Sequence, residues 1–539
     1  MGLRGTGSGG SLARTMEAVS VLSSAGFLNP LFATALGRGV GRWGSTLAAG
    51  LSASAVRRPN DVGIIDDLGS ITFGEIDSRS NAIANALAAA GVGAGDGVAL
   101  LARNHRGFVQ ASVAINKLGA NTLLLNTGFA APQLSEVLDR EQSRVIIYDE
   151  EFAGIVDAGA GSRERFVSWQ DGDSSETTLN DLARTHSTAE PAPPASPGRT
   201  TVLTSGTTGT PKGAQRDSTG AGLDSLVGMF GRMPLQTHDT SFVVAPAFHS
   251  WGGAHLLLAT LLSCKIVLRR RFDPEDTLAT VDRESPRTMA VVPVMLQRML
   301  ALDDTVHGKY DTSSLKVVGS SGSALPGGLA LQWMDTFGDN LVNFYGSTEV
   351  AQAAIATPDE LRAAPGTAGR PPRGTTVRIL DEDGKEVPHG TTGRIFVGND
   401  AQFEGYTGGG GKEVIGGLMS SGDVGHFTPE GLLFVDGRDD DMIVSGGENV
   451  FPAEVEDLLT KHEAVAEAAV LGVPDEEFGQ RLTAFVVLRP GHDVSEKEFQ
   501  DYVRKHLARF KVPRAVDFMD ELPSNPTGKV LKRVLKERV

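Results

Sequence analysis

The stretch Val98-Ala-Leu-Leu-Ala-Arg-Asn-His-Arg-Gly-Phe-Val-Gln-Ala-Ser-Val-Ala-Ile-Asn-Lys-Leu-Gly-Ala-Asn-Thr-Leu-Leu-Leu125 decides the fold class. Residues 98–102 form an unbroken apolar run of strand length, residues 107–118 carry a helical pattern, and residues 121–125 form a second apolar run. Strand, helix and strand in close succession make a βαβ unit. Its two strands must run parallel, which requires helices on the sheet faces and places the chain in the α/β class. Upstream, Thr72-Phe-Gly-Glu75 is a capping box, Ile76, Ile83 and Leu87 recur at helical spacing, and Gly91 is a suitable stop. Downstream, Glu190-Pro-Ala-Pro-Pro-Ala-Ser-Pro-Gly198 is a stiff connector.

That connector leads into Thr200-Thr-Val-Leu, an apolar strand, and then Thr204-Ser-Gly-Thr-Thr-Gly-Thr-Pro-Lys-Gly213. Thr204, Ser205, Thr207 and Thr208 offer hydroxyls. Gly206 and Gly209 allow a backbone that a Cβ would obstruct, and Lys212 adds a positive charge. Together these make a phosphate cradle at a strand end, where ligands of α/β sheets collect. The pattern differs from the common nucleotide loop G-x-x-x-x-G-K-[ST], because Pro211 precedes Lys212 and Gly213 follows it.

Further strands end in small or polar residues. Val243-Val-Ala-Pro-Ala-Phe-His249 reads as a strand closing on an aromatic–imidazole pair, followed by a helix from Trp251 to Leu262. Leu315-Lys-Val-Val-Gly-Ser-Ser-Gly-Ser-Ala-Leu-Pro326, which contains Ser323, and Leu341-Val-Asn-Phe-Tyr-Gly-Ser-Thr-Glu349 have the same form. Their ends are expected to converge on one crevice. After Asp436 the pattern changes to Gly437-Arg-Asp-Asp-Asp441, a glycine pair at 446 and 447, and a capped helix from Pro452. A compact tail of ordinary small-domain size follows.

The chain has 539 residues, enough for roughly three to four units. Its net charge of −16 argues against a nucleic-acid partner, so an anionic ligand must be held by a local site. The single cysteine, Cys264, lies in a strand-like run and excludes both a disulfide framework and a cysteine metal cluster. No run of about eighteen apolar residues suggests a membrane-spanning helix. Residues 1–60 fit a myristoylation pattern and an organellar transit peptide loosely. The preferred reading is a surface extension whose helices touch a membrane face, on a protein otherwise expected in the cytoplasm.

With these pieces assembled, the sequence resembles the adenylate-forming superfamily of acyl-CoA synthetases, nonribosomal-peptide adenylation domains and luciferases, and most resembles a bacterial fatty-acid–CoA ligase. The resemblance runs over about residues 60 to 539, with motifs in the family's order. It implies a large domain of stacked mixed and parallel sheets at 61–436 and a small mobile α+β domain at 437–539. The cradle 204–213 is the phosphate loop, Tyr345-Gly346-Ser-Thr348-Glu349 the adenine and magnesium segment, and Asp423 with Arg438 the ribose site. Asp440 falls at the hinge position, Gly446 and Gly447 in the moving turn, and Lys529 in the terminal lysine motif. In that scheme Glu349 is the metal ligand, Thr348 reaches phosphate oxygens, His249 gates the acyl site, and Trp251, Gly252 and Gly253 line the acyl pocket.

The implied reaction uses ATP, Mg²⁺ and coenzyme A. A substrate carboxylate attacks the α-phosphate, and a thiolate then displaces AMP. Amino-acid-activating relatives carry an aspartate where His249 stands here, so an amino acid is disfavoured. The apolar helix 251–262 suggests an alkyl chain, hence a medium- to long-chain fatty acid. Rival readings are a ligase that loads a carrier protein, a coenzyme A ligase for another apolar or aromatic acid, and a non-catalytic binder.

Overall fold

The computed structural model describes residues 8–172, 175–204, 212–216, 222–439, 443–445, 448–475, 479–526 and 528–539. Among these the strands form four sheets. The βαβ unit is the centre of the first. Gly97–Leu101 pairs in parallel with Asn121–Leu124 and with Ser143–Asp149, in a seven-stranded order that runs from Gly405–Tyr406 to Glu164–Trp169. The connecting helix is Arg106–Lys117, and every residue from Gly107 onward is buried. Burial on all sides explains its apolar composition, because it touches this sheet on one face and the second sheet on the other.

That second sheet has eight strands. Parallel strands at its centre, Thr240–Val243, Lys265–Leu268, Thr288–Val291 and Val317–Ser320, are flanked by antiparallel pairs at both ends. Two polar residues at the head of the shared helix fasten the sheets together. Asp66, buried at the end of strand Val62–Asp66, accepts from the Arg106 backbone N–H at 2.8 Å and from its guanidinium at 2.5 Å. Asn104 donates to Val243 O at 3.1 Å and Ala245 O at 2.9 Å, and accepts from Ala247 N at 2.8 Å. These bonds also end the 240s strand early. It stops at Val243 rather than continuing to His249, because Pro246 has no N–H for a ladder and Asn104 captures the neighbouring carbonyls.

A smaller antiparallel sheet follows, built on Gly393–Gly398 and Leu418–Phe427. The tail folds on a fourth sheet whose main pair is Val465–Asp475 with Gly479–Leu488, filled on both faces by its own apolar clusters. The helix at Pro452 is present, but Phe451 at its N-cap supplies no side-chain cap.

The first sixty residues are not merely a surface extension. They contain three helices, Ser8–Ser24, Pro30–Trp43 and Leu47–Arg57, and the third is packed into the main core with Ala48, Ala49 and Leu51 fully buried. Trp43 reaches the shared helix. Its ring lies 5.6 Å from the buried Lys117 ammonium, which also bonds Asp77 at 2.7 Å and Asn81 at 2.6 Å. Met16, Val19, Leu28 and Leu31 remain exposed. Among the described residues no helix is long and apolar enough to cross a membrane.

Candidate active site

The strand ends converge as the sequence suggests. Thr200–Thr204 and Lys212–Arg216 are antiparallel, with Thr204 paired to Lys212, so the cradle joins the two arms of a hairpin rather than leading from a strand into a helix. Ser205, Gly206, Thr207, Thr208 and Gly209 lie outside the described residues. The Lys212 ammonium sits 5.4 Å from the ring centre of Tyr406, whose two-residue strand pairs with the far arm of the hairpin. The Tyr406 hydroxyl donates to Glu349 Oε1 at 2.8 Å, while Ser347 Oγ donates to Glu349 Oε2 at 2.9 Å. Glu349, 8% exposed, is therefore held by one hydrogen bond on each oxygen, with lone pairs remaining on both. Burial and the neighbouring Glu349 charge push the Tyr406 phenol upward, so it stays protonated and keeps donating.

Four residues before Glu349, the chain builds a second polar cluster. Tyr345 donates its hydroxyl to Asp423 Oδ2 at 2.6 Å and approaches Ser421 Oγ at 3.3 Å. Arg438 donates to Asp423 Oδ1 at 3.2 Å. Asp423 and Arg438 are direct cross-strand partners, so sheet register brings them together. Burial raises the Asp423 pKa, and Arg438 opposes the rise. Gly346 must be glycine because a bulge brings Ala351 O to 1.9 Å from where its Cβ would stand. The bond to Asp423, made from one sheet to another, fixes the hydroxyl end of the Tyr345 ring.

The helix expected to line the acyl pocket is Ser250–Leu261. His249 occupies its N-cap, packs at a tilt on Phe248 with ring centres 4.7 Å apart, and has a buried Nε2 with no hydrogen-bond partner among the described residues. Burial lowers its pKa to about 4, so the ring is neutral at neutral pH. Ser250 Oγ and Thr348 Oγ1 are 2.6 Å apart and tie this helix to the Glu349 segment. Trp251 turns inward. Its indole N–H donates to Val291 O at 3.0 Å, its ring packs 5.1 Å from Phe344, and it covers Gly319 so closely that a Cβ there would meet the ring at 2.8 Å. Gly252 and Gly253 do not open a channel. The space of their missing Cβ atoms is taken by main chain, Pro246 O at 2.2 Å and Ala247 O at 2.9 Å, so they let the helix sit on the preceding loop. Ser323 lies half-buried just past the left-handed Gly322, whose own position is against Val292.

Lys529 stands on a tight turn. Asn525 Oδ1 accepts from the Lys529 N–H at 2.9 Å, and the left-handed Gly528 faces Val294, the second residue of the helix Pro293–Leu300. Pro526 packs on Gly128 across the way. Asp440, Gly446 and Gly447 lie outside the described residues.

The cradle arms and the Glu349 segment stand at strand ends of the two mixed sheets, with the Asp423–Arg438 pair on the smaller antiparallel sheet. The match to known sequences takes in the cradle, Glu349, Tyr406 and Lys529: residues 51–407 match the AMP-binding enzyme family and residues 454–529 its C-terminal domain. The chain belongs to the AMP-binding enzyme family. Among its relatives in that family is a feruloyl-CoA synthase from an Amycolatopsis species, 33% identical over 504 residues that cover 91% of this chain and 99% of the other. Another is the fatty acid–[acyl-carrier-protein] ligase ScoC of Streptomyces coeruleorubidus, 29% identical over 92% of this chain and 96% of its own. Of solved structures in the family, the anthranilate CoA ligase AuaEII with anthranoyl-AMP superposes with a TM-score of 0.84 at 27% identity, covering 92% of this chain and 97% of its own. ATP-bound MatB from Rhodopseudomonas palustris gives 0.81 at 28%, over 92% and 99%.

The sequence motifs led to Glu349, Asp423 and Arg438 and contained Ser347 and Ser421 without giving them a role, but did not lead to Tyr406, which holds Glu349, or to Ser250, which holds Thr348. Ser347 and Ser421 sit two residues before the carboxylates they serve, the spacing of a local hydroxyl turn, and could have been read. Tyr406 could not, since it reaches Glu349 only through sheet pairing.

Proposed function

We propose that this protein is an AMP-forming acid–thiol ligase that activates an apolar carboxylic acid as its adenylate and passes the acyl group to coenzyme A. What carries the reading is the linked assembly of Lys212, Glu349, Asp423 and Arg438, held through Tyr406 and Tyr345, with the turn that bears Lys529 packed on Val294 and Gly128 of the large domain. Asp423 and Arg438 suit a ribose, one accepting and one donating. Lys212, the 204–213 loop and Thr348 suit phosphates. Glu349 offers the carboxylate that Mg²⁺ uses alongside substrate phosphate oxygens, and its free lone pairs fit that role. Mg²⁺, when bound, neutralises charge on the phosphates. In this reading Lys529 stabilises the charge that develops as the carboxylate attacks the α-phosphate, and rotation about Asp440 afterwards withdraws it. Neutral His249 at the acyl end places no charge against the substrate, which disfavours an amino acid.

For the acid itself, Trp251 favours a compact molecule such as an aryl acid. Its indole, bonded to Val291 O and pressed on Gly319, fills the region between the Ser250–Leu261 helix and the strand ends. The relatives named for ferulate and anthranilate are consistent with that reading. A medium- to long-chain fatty acid is the second reading, supported by the match to ScoC and by the leucine-rich helix, and it requires Trp251 to leave its bond. A carrier-protein thiol in place of coenzyme A belongs with that alternative.

The deciding experiment is ATP–pyrophosphate exchange over a panel of aryl acids, straight-chain acids from acetate to palmitate, and amino acids, followed by thioester formation with coenzyme A. Exchange driven by apolar acids and completed by coenzyme A is expected. Exchange driven by amino acids alone, or none with any acid, overturns the reading.

A further inference from the structure

The helix Pro293–Leu300 has two faces with different tasks. Met295, Leu296, Met299 and Leu300 are buried in the main core. Val294, Gln297 and Arg298, spaced i, i+3 and i+4, share the opposite face. That face meets the tail domain at three points. Val294 receives Gly528, whose Cβ position lies 2.3 Å from a Val294 methyl. Gln297 Nε2 donates to Ala466 O at 2.7 Å. The charge of Arg298 acts on Glu467, which is also close enough to Glu521 to feel its repulsion.

The acceptor on the tail domain is specific to the shape of its strand. In the pairing of Val465–Asp475 with Gly479–Leu488, the register is continuous from Glu467 onward but shifts between Val465 and Glu467. Ala466 is the extra residue of that β-bulge. Such a residue is left out of the ladder, so its carbonyl points away from the sheet and needs a partner from elsewhere. Gln297 supplies one across the domain boundary. Along the same helix face, one turn away, Gly528 seats the turn that carries Lys529.

We infer that Gln297 is a positioning residue: its bond to the bulged Ala466 carbonyl latches the tail domain in the orientation that presents Lys529 to the crevice. The inference rests on the function proposed above. The latch is a single neutral hydrogen bond, strong enough to bias the orientation and weak enough to break when the domain turns. One bond of that kind shifts an equilibrium by about three- to tenfold.

The test uses the full chain in four forms: wild type, Gln297→Ala, Gln297→Glu and Lys529→Ala, plus the Gln297→Ala/Lys529→Ala double variant. Pyrophosphate exchange reports the first half-reaction, and conversion of supplied acyl-AMP and coenzyme A reports the second. Gln297→Ala should lower exchange about three- to tenfold with an unchanged melting temperature and an undiminished second half-reaction. Gln297→Glu should lose at least as much, because a carboxylate of the same length cannot donate. In the Lys529→Ala background, removing Gln297 should cost nothing further, since there is no longer a lysine to position. A loss in both halves, no loss in exchange, or an undiminished loss without Lys529 overturns the inference. A second readout is independent of substrate. Spin labels on Ser313→Cys and Lys497→Cys, both exposed positions, report the separation of the domains while the buried Cys264 stays unlabelled. Gln297→Ala should broaden or shift the dominant distance, and an unchanged distribution refutes the latch even if no acid is found that drives exchange.

Discussion

Replacing Trp251 by a smaller apolar residue should extend the acids this protein accepts. The indole spans from its bond with Val291 O to contact over Gly319 and Phe344, and its removal frees space on the proposed acyl side of the crevice. Space of that size takes roughly four methylenes. At ~0.8 kcal/mol for each one buried, the gain for a longer chain is about 3 kcal/mol, or two orders of magnitude in relative kcat/KM. Stability sets the choice of variant, because Trp→Ala in a packed site costs about 3–5 kcal/mol. Trp251→Leu keeps part of the packing and is the better probe, with about half of that gain expected, roughly tenfold in relative kcat/KM. The assay is kcat/KM for straight-chain acids of increasing length and for a set of aryl acids, in wild type and variant. The variant's optimum should move to longer chains while its rate with compact acids falls. An equal loss for every acid would show that Trp251 only supports the fold, and an unchanged profile would show that the acid does not approach it.

Lys529→Ala should slow adenylate formation by about 10²–10³-fold, read by pyrophosphate exchange, with the loss concentrated in that half-reaction. His255, buried behind Trp251 with its Nε2 3.1 Å from Ser241 Oγ, has its pKa lowered by burial to about 4. The unfolded chain binds this proton near pH 6.5 and the folded protein only near pH 4, so the neutral ring's contribution is complete above 6.5 and declines as pH falls towards 4. The decline is roughly 3 kcal/mol at most. Denaturant midpoints between pH 7.5 and 5 should therefore fall less steeply in His255→Gln than in wild type. Lys117→Met leaves the Asp77 carboxylate without its buried partner and removes the cation facing Trp43, so stability should drop by about 3 kcal/mol in urea unfolding. If the drop is below 1 kcal/mol, the anchoring of the N-terminal helices does not depend on that charge.

Much of the fold was legible because local chemistry repeats what the tertiary structure needs. The capping box at Thr72–Glu75 forms with both of its bonds, and the βαβ unit appears within one residue of the boundaries its apolar runs suggest. The reading failed where a distant residue decides the outcome. Val244 to His249 has strand composition, yet Asn104, far away in the chain, takes the carbonyls that would extend the ladder. Residues 47–57 read as an extension because alanine, serine and glycine suit a surface as well as a crowded interior. Only their position against the core shows which. Gly252 and Gly253 looked like room for a ligand for the same reason, since a missing side chain can be filled by solvent, substrate or, as here, main chain.

The sequence by itself determined the class of fold, the family and the residues that could carry charge chemistry, because hydrophobic period, caps and ordered motifs are local properties of the chain. Tertiary structure alone decided which partners hold those residues. Tyr406 on Glu349, Arg438 on Asp423, Trp251 on Gly319 and Gln297 on Ala466 each join segments that are separate in sequence. The first two depend on sheet register, where a shift of one residue would turn the side chain to the opposite face, the third on a helix packed across a sheet, and the last on a bulge that frees the Ala466 carbonyl.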